Sequence, residues 1–184
     1  MTTTLIVPGL GGSEPSHWQS WLESQVPNAR RVVQADWLEP DLPRWSAKLR
    51  NELTKIPGRV FIVAHSFGCL AAASAAFDCR ELISGVMLVA PADPERFGLA
   101  RIVPAQSLGV PAVVVASEND PWMGFHRARH WARSWDAEFI SLGAAGHVNV
   151  ASGHGPWPKG LAILRSIQRQ SGAAHDNRTA RNVA

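Results

Sequence analysis

Residues Phe61-Ile62-Val63-Ala64-His65 form an apolar run rich in strand formers. It breaks at Ser66-Phe67-Gly68 and passes at once into an alanine-rich run, Cys69 to Phe77. β-Branched and aromatic residues suit a pleated strand and alanine suits a helix, so the small-x-Ser-x-Gly stretch between them reads as a sharp turn with a serine at its tip. Position 64 must be small, because the following helix packs closely over the strand; alanine adds one methyl to the glycine more usual there. A serine hydroxyl is a poor nucleophile unless it is held in the open, with a histidine base on one side and backbone N–H donors on the other. The same pattern also describes an ordinary strand-to-helix turn with a serine near the N-cap.

Strand-like and helix-like segments alternate along the whole chain. Thr4–Val7 reads as a short strand ending at Pro8-Gly9, and Ser16-His17-Trp18-Gln19 as a capping box opening a helix to about Gln25. Residues 31–34 read as a second strand. Asp41 and Pro43 open a helix in which Leu42, Trp45, Leu49, Leu53 and Ile56 recur at helical spacing, until Pro57-Gly58 stops it. Residues 60–64, 85–89, 112–117 and 138–141 read as four further strands, and 123–135 as a helix. Pro91, Pro94 and Pro104 make 91–111 a loop with a short helix; Pro156-Trp157-Pro158 leads into a closing helix with Leu161, Leu164 and Ile167 on one face.

The implied class is α/β: a six-stranded parallel sheet in the order 2-1-3-4-5-6, with helices on both faces. Residues 1–170 are expected to form one domain, and the small, polar residues 171–184 a flexible tail. In that strand order, sites lie where the order reverses, beside strands 1 and 3. The loop after Val7 then lies next to the turn that holds Ser66.

The chain has 184 residues, 46% hydrophobic and 18% charged, enough for one core of ordinary size. Its net charge of +3 is a property of the C-terminus: Arg165, Arg169, Arg178 and Arg181 stand there against Asp176, and the remainder is balanced. No basic stripe crosses a binding face, which argues against nucleic-acid binding. Cys69 and Cys79, about 15 Å apart on one expected helix, are too distant to bridge. The sequence shows neither a signal-peptide pattern nor an apolar membrane-spanning run, so a reduced cytoplasmic setting without membrane association is expected.

Two further segments complete a chemical pattern. After the fifth strand comes Ser117-Glu118-Asn119-Asp120-Pro121-Trp122; after the sixth comes Gly143-Ala144-Ala145-Gly146-His147. A serine, an acid and a histidine then follow successive strands in the order Ser, Asp, His. This is the order of a nucleophile elbow and its partners on an α/β sheet. Ser66 would attack, His147 would take and return its proton, and Asp120 would orient His147. Asp93 is a rival acid and His154 a rival histidine. The N–H groups of Phe67 and Leu10 are the expected oxyanion donors, the latter in the glycine-dense loop Pro8-Gly9-Leu10-Gly11-Gly12-Ser13. That loop lacks a phosphate-binding signature. Trp18, His65, Trp122, His154 and Trp157 are candidate substrate contacts. His126 and His130 lie one helical turn apart between arginines, without the glutamate of a zinc motif, and read as a solvated face; no metal or cofactor is expected.

Val7-Pro8-Gly9-Leu10-Gly11-Gly12-Ser13 with Trp18, Ala64-His65-Ser66-Phe67-Gly68, Ser117-Glu118-Asn119-Asp120-Pro121 and Gly146-His147-Val148-Asn149 together resemble the small serine hydrolases of the retinoblastoma-binding-protein/YdeN family. Gly153-His154-Gly155-Pro156-Trp157-Pro158 resembles its bacterial branch. The resemblance spans about residues 7–160. It implies a minimal α/β-hydrolase with Ser66, Asp120 and His147 as its triad and hydrolase chemistry of the kind tested on short acyl esters; residues 91–111, after the fourth strand, are too short for an independent cap domain. A retinoblastoma-type Leu-x-Cys-x-Glu docking motif is approached only by Phe77-Asp78-Cys79-Arg80-Glu81, whose first residue is wrong. The expected function is therefore a carboxylesterase-like serine hydrolase acting on a small ester through an acyl-enzyme. Thioesterase and peptidase chemistry would use the same constellation, and the competing class is a catalytically weak binding protein that keeps the fold.

Overall fold

The computed structural model describes the backbone of residues 2–181 and the side chains of residues 2–172. Six parallel strands, β1 (Thr4–Val7), β2 (Ala29–Arg31), β3 (Val60–His65), β4 (Ile83–Val89), β5 (Ala112–Ala116) and β6 (Glu138–Ser141), form one sheet in the order β2-β1-β3-β4-β5-β6. Between them run α1 (Trp18–Gln25), α2 (Leu42–Thr54), α3 (Phe67–Asp78) and α4 (Phe125–Ser134), and α5 (Pro158–Arg181) follows the last strand. This is a minimal α/β-hydrolase fold.

The central strands are mostly apolar because both faces are covered, and alternate residues divide between two cores. Leu5, Val7, Ile62, Ala64, Val86, Leu88 and Val114 pack with α2, α3 and α4 on one face. Ile6, Phe61, Val63, Met87, Val89, Val113 and Val115 pack with α1 and α5 on the other. Burying one such side chain contributes about 1.5–3 kcal/mol. Helix α3 buries alanines at 71, 72, 73, 75 and 76, and their small size lets it lie close to both the sheet and α2.

The second strand is shifted from the expected 31–34. Thr4, Leu5 and Ile6 pair with Ala29, Arg30 and Arg31, and the pairing ends soon after because β1 itself ends at Val7. Val33, although a strand former, is 57% exposed beyond the pairing. The edge strand therefore carries arginines, which blunts it against pairing with another chain. At α1 the N-cap is His17 rather than Ser16: its Nδ1 accepts the N–H of Gln19 at 3.1 Å. At α2 the expected Asp41 cap is present, accepting the N–H of Arg44 at 2.9 Å. The closing helix runs past Gln170, so the expected tail, 171–184, falls partly on helical backbone and otherwise outside the described residues. Among the described residues no helix is long and apolar enough to cross a membrane.

Candidate active site

The carboxyl ends of β1, β3, β4, β5 and β6 meet at one edge, and each contributes a loop to the same place. Ser66 sits between β3 and α3 with φ 53° and ψ −125°, a region that costs a non-glycine residue about 1–3 kcal/mol. Its N–H donates to Val89 O at 3.1 Å and its carbonyl accepts the N–H of Ala92 at 3.2 Å, so the end of β4 holds the turn open. Close packing from the β1 side completes it. A Cβ on Gly9 would lie 2.7 Å from Ser66 Cβ, and one on Gly68 would collide with the carbonyl oxygens of Val7 and Pro8. Glycine is required at both positions. Ala64 is buried within β3 opposite Val7 and Leu88, where its methyl is accommodated.

His147 Nε2 lies 2.8 Å from Ser66 Oγ. Its Nδ1 lies 2.9 Å from Oδ2 and 3.0 Å from Oδ1 of Asp120, whose side chain is only 2% exposed. With Nδ1 protonated toward the carboxylate, Nε2 accepts the serine proton. Asp120 Oδ1 also accepts the N–H of Trp122 at 2.8 Å, which fixes the carboxylate plane. The structure thus brings Ser66, His147 and Asp120 into one hydrogen-bonded line. Asp93 is engaged elsewhere: Arg127 Nε and Nη2 donate to its two oxygens at 2.7 and 2.8 Å. Burial pushes Asp93 up, but the Arg127 bonds and the N–H of Glu95 outweigh it and hold the carboxyl below its ordinary value. His154 faces Ser152, its Nδ1 3.1 Å from that carbonyl, and its ring packs on Trp157. Cys69, one turn into α3, is buried against Val89 O, and burial pushes its thiol well up, away from nucleophilic use.

Gly9 to Gly12 form a turn closed by Gly12 N–H to Gly9 O at 3.1 Å, and Gly11 N–H donates to Trp37 O at 2.9 Å. Among the described backbone hydrogen bonds, the N–H of Leu10 is unused. Phe67 is the first residue of α3, so its N–H has no acceptor within the helix. Its ring is locked edge-on between Trp45 and Phe97 at 5.1 Å each, and Trp45 in turn meets Trp37, which packs under Gly12. One aromatic stack therefore supports both N–H groups.

Three of the five candidate substrate contacts prove to be supports. Trp18 is completely buried, its Nε1–H donating to Val148 O at 2.8 Å, and Trp157 packs edge-on against it at 5.1 Å with 8% exposure. His65, 5% exposed, turns away from the serine side of the turn and meets His147 O through Nε2 at 2.9 Å. None of the three has a free face for a substrate; they form the floor under the His147 loop. Trp122 is different: it is 52% exposed with its ring 6.4 Å from that of His147, and Arg96 lies over its face. His126 and His130 are exposed on α4, and among the described residues no group of three His, Cys, Asp or Glu side chains is placed to hold a metal ion.

Several positioning groups were assigned no role from the sequence. Gln19, buried in α1, accepts from Ser13 Oγ at 2.7 Å and donates to Val7 O and Val63 O, fixing the ends of β1 and β3 together. Arg31 donates to Ser13 O at 2.6 Å and to Ser20 and Glu23, tying the glycine loop to α1. Ser117 Oγ accepts the N–H of Ala145 at 2.9 Å and Asn119 Oδ1 accepts that of Gly146 at 2.7 Å, joining the acid loop to the histidine loop. For Gln19 the clue is its place between Trp18 and Leu22 on the buried side of α1.

Residues 4–166 match a family model described as serine hydrolase. A solved structure described as a YdeN-like hydrolase from Pectobacterium atrosepticum is 43% identical, covering 93% of this chain and 92% of that one, with a TM-score of 0.89. The ydeN gene product of Bacillus subtilis is 21% identical, covering 92% and 100%, with a TM-score of 0.78. Est1E from Butyrivibrio proteoclasticus, solved with ferulic acid bound, shares the fold at 12% identity, with coverage of 92% and 87% and a TM-score of 0.70. No curated protein sequence matches. With a family model matching nearly nine-tenths of its length and a relative at this identity, the chain belongs to the small serine hydrolases of the YdeN family, within the α/β-hydrolase superfamily.

Proposed function

We propose that this serine hydrolase cleaves small carboxylic esters with short acyl groups through an acyl-enzyme on Ser66. The observation that carries the reading is the continuous line from Ser66 Oγ through His147 to Asp120 at 2.8 and 2.9 Å, on a turn that projects the serine. Ser66 Oγ attacks the ester carbonyl carbon as His147 Nε2 takes its proton, and Asp120 stabilises the imidazolium. The carbonyl oxygen becomes an oxyanion received by the N–H groups of Leu10 and Phe67; one such donor is typically worth about 10²–10³-fold in rate. Collapse expels the alkoxide, which takes the proton from His147 and leaves as the alcohol. Water, deprotonated by His147, then attacks the acyl-Ser66 carbonyl, releasing the carboxylic acid and restoring Ser66.

Short acyl groups are favoured by what surrounds the serine. The β4–β5 connection, 90–111, contains only the short 3₁₀ turn Pro94–Phe97 and supplies no cap domain. Trp18 and Trp157 close the space beneath His147 rather than lining a tunnel. Leu10, whose N–H is a proposed oxyanion donor, and Trp122, beside His147, are exposed apolar side chains. A fluorophosphonate probe should label wild-type protein and not Ser66→Ala. A p-nitrophenyl ester series should turn over fastest at acetyl or butyryl. Faster turnover of long-chain esters would refute the short-acyl assignment. Absence of labelling in folded protein would favour a binding protein that retains the fold. Thioester and peptide substrates in the same panel separate the remaining hydrolase classes.

A further inference from the structure

We propose that His65 is a positioning residue that ties the catalytic histidine to the nucleophile through the backbone. The inference rests on the assignment of Ser66 and His147 as nucleophile and base. His147 stands in a loop between Gly146 at φ +59° and Val148 at φ +49°. Neither neighbour is in a conformation that resists displacement by itself, since one is glycine and the other is a β-branched residue held in the left-handed region. Two consecutive carbonyls of this loop are bound by side chains from the core. His147 O is met by His65 Nε2 at 2.9 Å, and Val148 O by Trp18 Nε1 at 2.8 Å. A carbonyl only accepts, so His65 must carry its proton on Nε2.

His65 immediately precedes Ser66 and closes β3, a central strand paired on both sides, so its ring is fixed by the same backbone that presents the nucleophile. The distance between Ser66 and His147 is therefore set twice: once by the hydrogen bond between their side chains, and once by His65 beneath it. The His65 ring lies 5.0 Å from that of His147, 4.9 Å from that of His17 and 6.0 Å edge-on from Trp18. Its one demonstrated polar contact is to backbone, and it is 5% exposed, so it does not touch substrate. A filler residue of similar volume would preserve the packing and lose the tie.

The test compares His65→Leu, which fills the space without a donor, with His65→Gln, which places an N–H near the same position. With p-nitrophenyl acetate, His65→Leu should lower kcat by about 10- to 100-fold while KM moves less than about threefold, and His65→Gln should restore most of the loss. A folded His65→Leu with kcat within about threefold of wild type would overturn the proposal, as would equal losses in the Leu and Gln variants. NMR of isotope-labelled histidine in the wild-type protein gives a readout independent of variant folding. A neutral Nε2–H tautomer for His65 is expected, and an Nδ1–H tautomer would overturn the proposal, because two acceptors would then face each other. A wild type inert to both ester and fluorophosphonate would sink the nucleophile–base assignment itself. An active wild type indifferent to His65→Leu would sink only the positioning role.

Discussion

The buried histidines under the site give the fold an acid limit that can be calculated from one residue. His17 is 2% exposed and caps α1, its Nδ1 accepting the Gln19 N–H. Burial lowers its pKa from 6.5 to about 4; Glu14 opposes the shift, while Arg31, His147 and His154 add to it. Below pH 6.5 the unfolded chain binds a proton at this imidazole that the folded protein refuses. Stability is therefore full above 6.5, falls as pH falls, and stops falling at about 4, where the folded form also protonates. The shift corresponds to a loss of about 3 kcal/mol across that window, with a slope of up to about 1.4 kcal/mol per pH unit. His65, pushed well down chiefly by burial and then by His147 and His17, adds loss in the same direction. Protonating His17 Nδ1 would also set a donor against the Gln19 N–H and fray α1, which carries the Trp18 that holds Val148 O. Urea unfolding followed by tryptophan fluorescence at pH 7.5, 6.5, 5.5 and 4.5 measures the effect. His17→Asn keeps an N-cap acceptor and removes the titration. It should be less stable at neutral pH, through lost packing, yet show a flatter slope. A wild-type stability unchanged from pH 7.5 to 5, or an unaltered slope in His17→Asn, would show that His17 does not set the acid limit.

Other perturbations separate strain, sterics and pairing. Ser66→Ala should abolish hydrolysis without much change in stability, whereas Ser66→Gly should be equally inert yet unfold later by about 1 kcal/mol, because glycine relieves the positive φ at some entropic cost. Differential scanning calorimetry distinguishes the two. Gly9→Ala places a methyl 2.7 Å from Ser66 Cβ, so the glycine loop must retreat; kcat should fall about 100-fold or more as an oxyanion donor moves, with the circular dichroism spectrum unchanged. Arg127→Ala leaves the buried Asp93 carboxylate without its bidentate partner and should cost about 1–3 kcal/mol in chemical denaturation.

The geometry of the candidate site was legible in the sequence because topology does most of its placement. In a parallel sheet every strand's carboxyl end lies on one edge, so a serine, an aspartate and a histidine just beyond β3, β5 and β6 converge without detailed knowledge of the loops. The glycine loop after β1 was legible for the same reason. What the chain order does not encode is which way a large side chain faces. Trp18 and Trp157 stand near the site in sequence and in space, yet they point into the second core, and only the packing of α1 and α5 decides that. The shift of β2 has a similar origin. Val32 and Val33 have the stronger strand preference, but the length of the neighbouring β1 limits the pairing. His17 displaced Ser16 as the cap because an imidazole Nδ1 accepts as a serine hydroxyl does, an equivalence that cap preferences do not register.

The distribution of backbone strain shows why so many core residues serve the site. Among the described residues, five non-glycine residues have positive φ: Asn28, Ser66, Ala90, Asp136 and Val148. Asn28 and Asp136 lie in turns, where their short polar side chains tolerate this region. Ser66, Ala90 and Val148 have no such tolerance, and all three stand at the functional edge, following β3, β4 and β6. Each is held by groups outside its own turn: Ser66 by Val89 O and Ala92 N–H, Ala90 by Val115 O at 2.8 Å, and Val148 by Trp18. At about 1–3 kcal/mol each, the strain is comparable to the burial of two or three core side chains. It can persist only while the strands beneath keep their spacing. A cavity made in the core, for instance by Val63→Ala below His65 or Leu88→Ala beside Ala64, should therefore reduce kcat before it reduces the folded fraction. Losses of kcat that merely track the folded fraction would show that the edge relaxes independently of the sheet.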